Sequence, residues 1–178
     1  MTITIIRSLP DFQQPNESTD EAAVILRYSQ PDTTMLLSPE VPSGTFGKGT
    51  IYVTESQVYF FSPETSTGLA IEYPSIVMHA VSREESSGSC VYCQLSDSIH
   101  QLFIQASQGQ NGENEEDEID DDFTELRFVP NDAGAVDAIF EAMSECAALH
   151  PDFVDEEEFY EDDEEMLEEG QFDDAPEN

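Results

Sequence analysis

The sequence predicts a mainly β domain, a sandwich or barrel of about seven short strands capped by one C-terminal helix. Three observations carry this. Short runs rich in Val, Ile, Tyr and Phe recur at hairpin spacing between Val24 and Val129, punctuated by Pro, Gly, Asn and Asp. After Pro130 the apolar period lengthens from two to between three and four. The charge is segregated: of 178 residues, 40 are Asp or Glu and 5 are Lys or Arg, a formal net charge of -35. Two acidic runs, Glu113 to Asp122 and Asp152 onward, carry much of it. Such blocks cannot pack against themselves, so they stay solvated and act as arms.

Residues 1–21 hold Pro10 and Pro15 among polar side chains and read as an irregular lead-in to a domain spanning 22–150. Val24 to Tyr28 is an apolar run, Gln30-Pro31-Asp32 signals a turn, and Met35 to Leu37 follows. Pro39, Pro42, Gly44, Gly47 and Gly49 mark a loop. From Thr50 to Thr54, Ile51 and Val53 share one face and Tyr52 takes the other. Glu55-Ser56 then suits a tight hairpin into Gln57 to Ser62. Leu69 to Tyr73 and Ile76 to Val81 are strand-like on either side of Pro74, which cannot donate to a central ladder and marks a bend. Cys90 to Leu95 alternates, His100 to Gln105 follows, and an acidic loop fills about 107–122. Phe123 to Val129 resumes the alternation, Leu126 and Phe128 facing one way and Glu125 and Arg127 the other. A helix is expected over about 132–149, capped by Asn131 or Asp132 and stopped by Pro151. Its stripe of Val136, Ile139, Phe140, Met143 and Ala147 closes one end of the barrel. The acidic tail, 151–178, is expected to be disordered when free.

Several function classes fall away. Five basic residues cannot neutralise a phosphate backbone, and the acidic arms repel it, so no direct nucleic-acid binding is expected. No run approaches the roughly 20 apolar residues of a membrane span, and MTITIIRSLP is a poor signal peptide. No membrane partner is expected. Three cysteines, odd and sparse, fit a reduced cytoplasmic protein, with the nucleus as a second compartment. Cys90-Val-Tyr-Cys93 lacks a second ligand pair, and residues three apart on a strand face opposite ways. One thiol is expected in the core and one at the surface, with no metal and no cofactor. His79, His100 and His150 form no grouping, and His150 sits where a helix dipole favours it. No Ser-His-Asp order, phosphate loop or nucleotide fingerprint appears. The chain reads as a non-enzyme.

Seven strands and a C-terminal helix make the pleckstrin-homology architecture. Within it, GKGTIYVTES (Gly47 to Ser56), LAIEYPSIVMHAVSR (Leu69 to Arg83), TELRFVPND (Thr124 to Asp132) and ECAALHP (Glu145 to Pro151) resemble, in that order, the pICln family. These are the nucleotide-sensitive chloride conductance regulators, understood as assembly chaperones of spliceosomal Sm proteins. The resemblance runs from about Gly47 to Pro151 and does not extend to the first forty or so residues. In the tail, Gly170, Gln171, Phe172, Asp173, Asp174 and Ala175 are similar to the peptide through which that family docks on the type II arginine methyltransferase. Pro176 stands where the family carries an acid, with Glu177 next.

The resemblance implies an Sm-protein chaperone that imitates an Sm neighbour, keeps RNA out and delivers its cargo to the methyltransferase. Physically, the tail glycine permits close backbone approach, Phe172 is an apolar anchor, and the two aspartates can pair with Lys or Arg. Burying one Phe yields roughly 1.5–3 kcal/mol, against the about 8 kcal/mol of micromolar binding. The hexapeptide is thus a modest tether. Only Arg27 and Lys48 lie near the first strands, too few for a phosphoinositide headgroup. What remains for such a sheet is pairing at an edge. The expected edge strand is Cys90, Val91, Tyr92, Cys93, Gln94 and Leu95, because Ser86 to Ser89 suggests an unpaired approach to it. The alternative function is a general acidic chaperone for histones or ribosomal proteins, working by charge alone. Self-repulsion among the arms predicts a monomer when unpartnered.

Overall fold

Alternation along each strand sorts the side chains to two faces of one sheet. The computed structural model describes residues 2–15, 23–41, 45–84, 88–96, 98–99, 102 and 123–151. Its elements are β1 (Ile3–Ile6), β2 (Phe12–Gln13), β3 (Val24–Ser38), β4 (Lys48–Thr54), β5 (Gln57–Ser62) and β6 (Thr67–Glu72), then a 3-10 turn (Tyr73–Ser75). After it come β7 (Ile76–Glu84), β8 (Gly88–Leu95), β9 (Thr124–Pro130) and helix α1 (Ala135–Ala147). Neighbours run β1-β6-β5-β4-β3-β9-β8-β7, every pair antiparallel, with β2 lying parallel to β3. Ile71 of β6 and Val91 of β8 share one core although their strands lie far apart along this path. Phe60 of β5 and Phe128 of β9 meet across it, ring centroids 6.1 Å apart. The sheet therefore wraps round its own interior, and α1 packs into the remaining opening. β3 to β9 with α1 is the pleckstrin-homology arrangement expected.

The β4–β5 hairpin forms at Glu55-Ser56, with Val53 opposite Val58. Thr54 fastens it, its hydroxyl donating to the Gln57 carbonyl at 2.7 Å and accepting from the Gln57 N–H at 3.1 Å. Gly49 has no room for a side chain: a Cβ there would lie 2.3 Å from the Phe61 carbonyl oxygen. In α1, Val136, Ile139 and Met143 are fully buried. Cys146 is buried beside them, whereas Ala147, expected in the stripe, is half-buried. Asp132 shapes the entry, its carboxylate accepting from the Gly134 N–H at 2.9 Å and its carbonyl from the Ala135 N–H at 3.0 Å.

Four expectations are corrected. Residues 1–21 are not wholly irregular: β1 pairs with β6, Ile3 opposite Ile71 and Ile5 opposite Leu69, and Ile3 is buried in the core. Farther along, Phe12 stacks on Tyr52 at 4.9 Å. The alternation of Ile3, Thr4 and Ile5 outweighs the prolines that follow it. The turn expected at Gln30-Pro31-Asp32 is instead an irregularity inside β3, with Asp32 at φ 52 and a register shift between Gln30 and Thr33. The chain does not reverse there: β3 runs on through the irregularity, still paired to β4 at Thr33 and Thr34 while it takes up β9 from Thr33 to Ser38. Cys90 and Cys93 are both buried, at 1% and 0% exposure. Burial, with Cys90 nearby, pushes the Cys93 thiol up to about 12, which suppresses the reactive thiolate. Of the strand expected over His100 to Gln105 only Leu102 is described, and it is helical. The acidic loop, residues 152–178 of the tail and the docking motif Gly170 to Ala175 lie outside the described residues.

Candidate functional site: a free strand edge

The expected edge, Cys90 to Leu95, is an interior strand. β8 is bonded on one side to β7, Ala80 opposite Tyr92, and on the other to β9, Tyr92 opposite Arg127. β9 lies beside β8, and Val91, Cys93 and Leu95 point into the core, each fully buried. The edge is β7. Among the described residues its far side has no partner strand, leaving a row of backbone donors and acceptors for an added strand.

A bulge shapes this edge. The register skips from Ile76–Leu95 to Met78–Gln94, so Val77 is the extra residue. Val77 is 56% exposed and Met78 46%, two large apolar side chains beside an unpaired backbone. The adjoining outer face continues this surface in register as Leu36, Arg127, Tyr92 and Ala80. Leu36 is also exposed, and the Arg127 guanidinium lies 5.8 Å from the Tyr92 ring centroid. A signal for the bulge, though not for its place on an edge, stood in the sequence. Pro74 ends one ladder, and Ile76-Val77-Met78 breaks the period of two.

Past the bulge, β7 turns His79, Val81 and Arg83 toward α1. The His79 ring lies 5.2 Å from that of Phe140, and its Nε2 is 2.9 Å from the Ser144 hydroxyl. That hydroxyl donates to the Phe140 carbonyl, so it must accept from His79 and the ring carries its proton on Nε2. Arg83 pairs with Asp137 at the other end of the contact. Burial holds the His79 pKa below 6.5. The stability this neutral ring allows is full above the unfolded value, about 6.5, and is lost as pH falls through it toward the folded pKa. Thermal melts of His79→Gln against the unmodified chain are expected to show a smaller loss of stability between pH 7.5 and 5.5.

At the N-terminal end of β7, the 3-10 turn is held by Tyr73. Its hydroxyl donates to the Thr54 carbonyl at 2.7 Å, and its ring stacks on His150 at 5.2 Å. Burial raises the Tyr73 pKa, so the phenol remains a donor. His150 makes a hydrogen bond across the fold: its Nε2 donates to the Glu55 carbonyl at 2.7 Å. The edge is thus fixed at one end by Tyr73 and along its inner side by α1.

Each of the five basic side chains is engaged within the domain. Arg27 pairs with Glu55 at 2.6 Å and Lys48 with Asp32 at 3.2 Å, so neither residue weighed for a phosphoinositide is unpartnered. Arg83 takes Asp137, Arg127 lies 3.7 Å from Glu125, and Arg7 donates to the Thr67 hydroxyl. Exposed pairs of this kind add little stability. Their consequence is electrostatic: four of the five cations already face a carboxylate, which leaves little positive charge in the domain for the acidic runs. No group of three or more His, Cys, Asp or Glu suited to a metal occurs among the described residues.

A family model described as regulator of volume decrease after cellular swelling (Voldacs) matches residues 49–176. Methylosome subunit pICln of Oryctolagus cuniculus is 38% identical over 134 residues, 74% of this chain and 54% of the relative. The Homo sapiens protein of the same name is 38% identical over 135 residues with the same coverage. The chain thus spans about half the length of these relatives. A chain in a solved structure, "The 8S snRNP Assembly Intermediate", aligns with a TM-score of 0.59 and 24% identity, covering 86% of this chain and 97% of that one. This likeness is one of fold.

Proposed function

The chain belongs to the family of regulators of volume decrease after cellular swelling, and from that premise we propose that it is an adaptor in small nuclear ribonucleoprotein assembly. The name of its relatives, methylosome subunit, and the assembly intermediate whose fold it shares support this reading. In detail, the domain captures Sm proteins by strand addition, stands in for an Sm neighbour and so withholds them from RNA. The observation that carries this is the unpaired, apolar-flanked edge of β7. The acidic arms, with few cations in their own domain, raise the encounter rate with basic partners and screen surfaces meant for RNA. It works as a non-catalytic adaptor in the cytoplasm, and also in the nucleus.

Pull-down of recombinant Sm heterodimers by the full chain, with and without RNA, tests the reading. Binding that delays RNA loading is the expected result; no binding, or binding without effect on loading, overturns it. The tail tethers the type II arginine methyltransferase through Gly170 to Ala175, a segment inside the family match. Tethering raises the local concentration of the cargo's arginine-rich tails at the enzyme. Phe172→Ala is expected to lower co-precipitation of the methyltransferase at least tenfold, equivalent to about 1.4 kcal/mol, and to leave Sm capture intact. The alternative, a general acidic chaperone for histones or ribosomal proteins, predicts binding that collapses with salt and ignores changes at β7.

A further inference from the structure

The second end of the sheet, opposite β7, is closed by the chain itself. β1 contributes four paired residues to β6 and anchors there through few side chains. Ile3 is buried, Ile5 is partly buried against the core, and Arg7 donates from Nη1 to the Thr67 hydroxyl at 2.6 Å. Thr67 gives its own proton to the Thr65 carbonyl, so its oxygen is left to accept from that guanidinium. Past β1 the arm crosses the outer face of the sheet, where Phe12 packs on Tyr52 and Tyr59. A groove of about 420 Å³ remains there, lined by Thr4, Ile6, Leu9, Pro10, Tyr59 and Ala70. Among the described residues, the arm is next tied down by the two-residue β2 and by Phe12 against Tyr52 and Tyr59. In contrast, β6 beneath it is buried at five successive residues, Thr67 to Ile71. A short strand of few anchors thus lies on a strand integral to the core. Ordering such a strand opposes much of what one buried isoleucine gains.

We propose that the β6 edge is a second strand-docking site and that β1 is its removable placeholder. The placeholder also reports what the site accepts. Its inward positions read Ile3 and Ile5, and the exposed Arg7, one residue past the strand, reaches the Thr67 hydroxyl, so the occupant is a partner strand of pattern aliphatic-x-aliphatic-x-Arg. An arginine-bearing strand also suits a chain of net charge -35. The proposal rests on strand addition as the mode of capture proposed above, at a different edge.

Two measurements on the full chain test it. In hydrogen exchange, the β1 amides and their β6 partners are expected to exchange at least a hundredfold faster than those of β4 and β5. Exchange of β1 only with global unfolding overturns the proposal. In fluorescence polarisation, a labelled peptide of residues 1–10 (MTITIIRSLP) is expected to bind Ile3→Asp full chain at least tenfold more tightly than unmodified chain. A peptide carrying Arg7→Glu is expected to bind at least tenfold more weakly. Equal binding to both proteins, or dimers formed by arm exchange between copies, overturns it. Should Ile3→Asp unfold the chain, hydrogen exchange on unmodified protein decides. Chain altered at Val77 and Met78 is expected to bind the peptide normally, so failure here is distinct from failure at β7.

Discussion

Replacing Val77 and Met78 together by lysine is expected to abolish Sm capture, lowering affinity at least a hundredfold, while leaving the domain folded. The two side chains are 56% and 46% exposed, so little packing is lost, and surface changes of this sort usually stay within about 0.5 kcal/mol of neutral. At an edge the same change acts strongly. Lysine is a residue proteins use to blunt free strands, because an added strand must bring its own side chains alongside the charge. Toward a basic partner of the kind proposed, two lysines add repulsion where the unmodified chain offers two apolar side chains. A hundredfold loss corresponds to about 2.7 kcal/mol, within reach of two buried apolar side chains plus like-charge repulsion. Isothermal titration with an Sm heterodimer, paired with a thermal melt, checks both halves. Undiminished affinity with an unchanged melting temperature removes β7 as the capture edge.

The same pair of measurements separates β7 from the strand the sequence suggested. Tyr92 lies on β8, bonded on both sides, with its ring under Arg127. Tyr92→Ala should therefore cost stability more than capture. The distinction was hard to read because edge and centre differ by topology and not by composition. Cys90 to Leu95 and Ile76 to Val81 are both short apolar runs, and only the return of β9 decides which is covered. Elements set by local pattern were legible: the hairpin at Glu55-Ser56, the inward Ile51 and Val53, the inward Leu126 and Phe128, and the helical period after Pro130. Elements set by distant pairing were not. β1 gains its meaning from β6, more than sixty residues away in sequence, and Cys90 is covered although it sits on the outward alternation. The bulge at Val77 joins the two kinds. Its broken period is visible in the sequence, but its position on a free edge is not.

Tyr73→Ala is expected to be the most damaging single change at the site, costing about 3–5 kcal/mol. A domain of this size has roughly 5–15 kcal/mol in total, so the loss is a large share of it. Tyr73 is 5% exposed, its hydroxyl bonds the Thr54 carbonyl, and its ring carries His150, which in turn bonds the Glu55 carbonyl. One side chain thus joins the 3-10 turn, the β4–β5 hairpin and the chain just past α1. Tyr73→Phe keeps the ring and removes only the hydrogen bond, for about 0.5–1.5 kcal/mol. A similar loss in both variants would mean that the phenol and not the packed ring holds the turn. Because Tyr73 and His150 are stacked, Tyr73→Ala with His150→Ala is expected to cost less than the sum of the two single changes. The functional consequence follows from position. The turn that Tyr73 anchors leads directly into Ile76, so a chain lacking the ring presents β7 less rigidly. At a temperature where Tyr73→Ala is still folded by circular dichroism, its affinity for an Sm heterodimer is expected to fall well below that of Tyr73→Phe. Equal affinities would detach edge rigidity from capture.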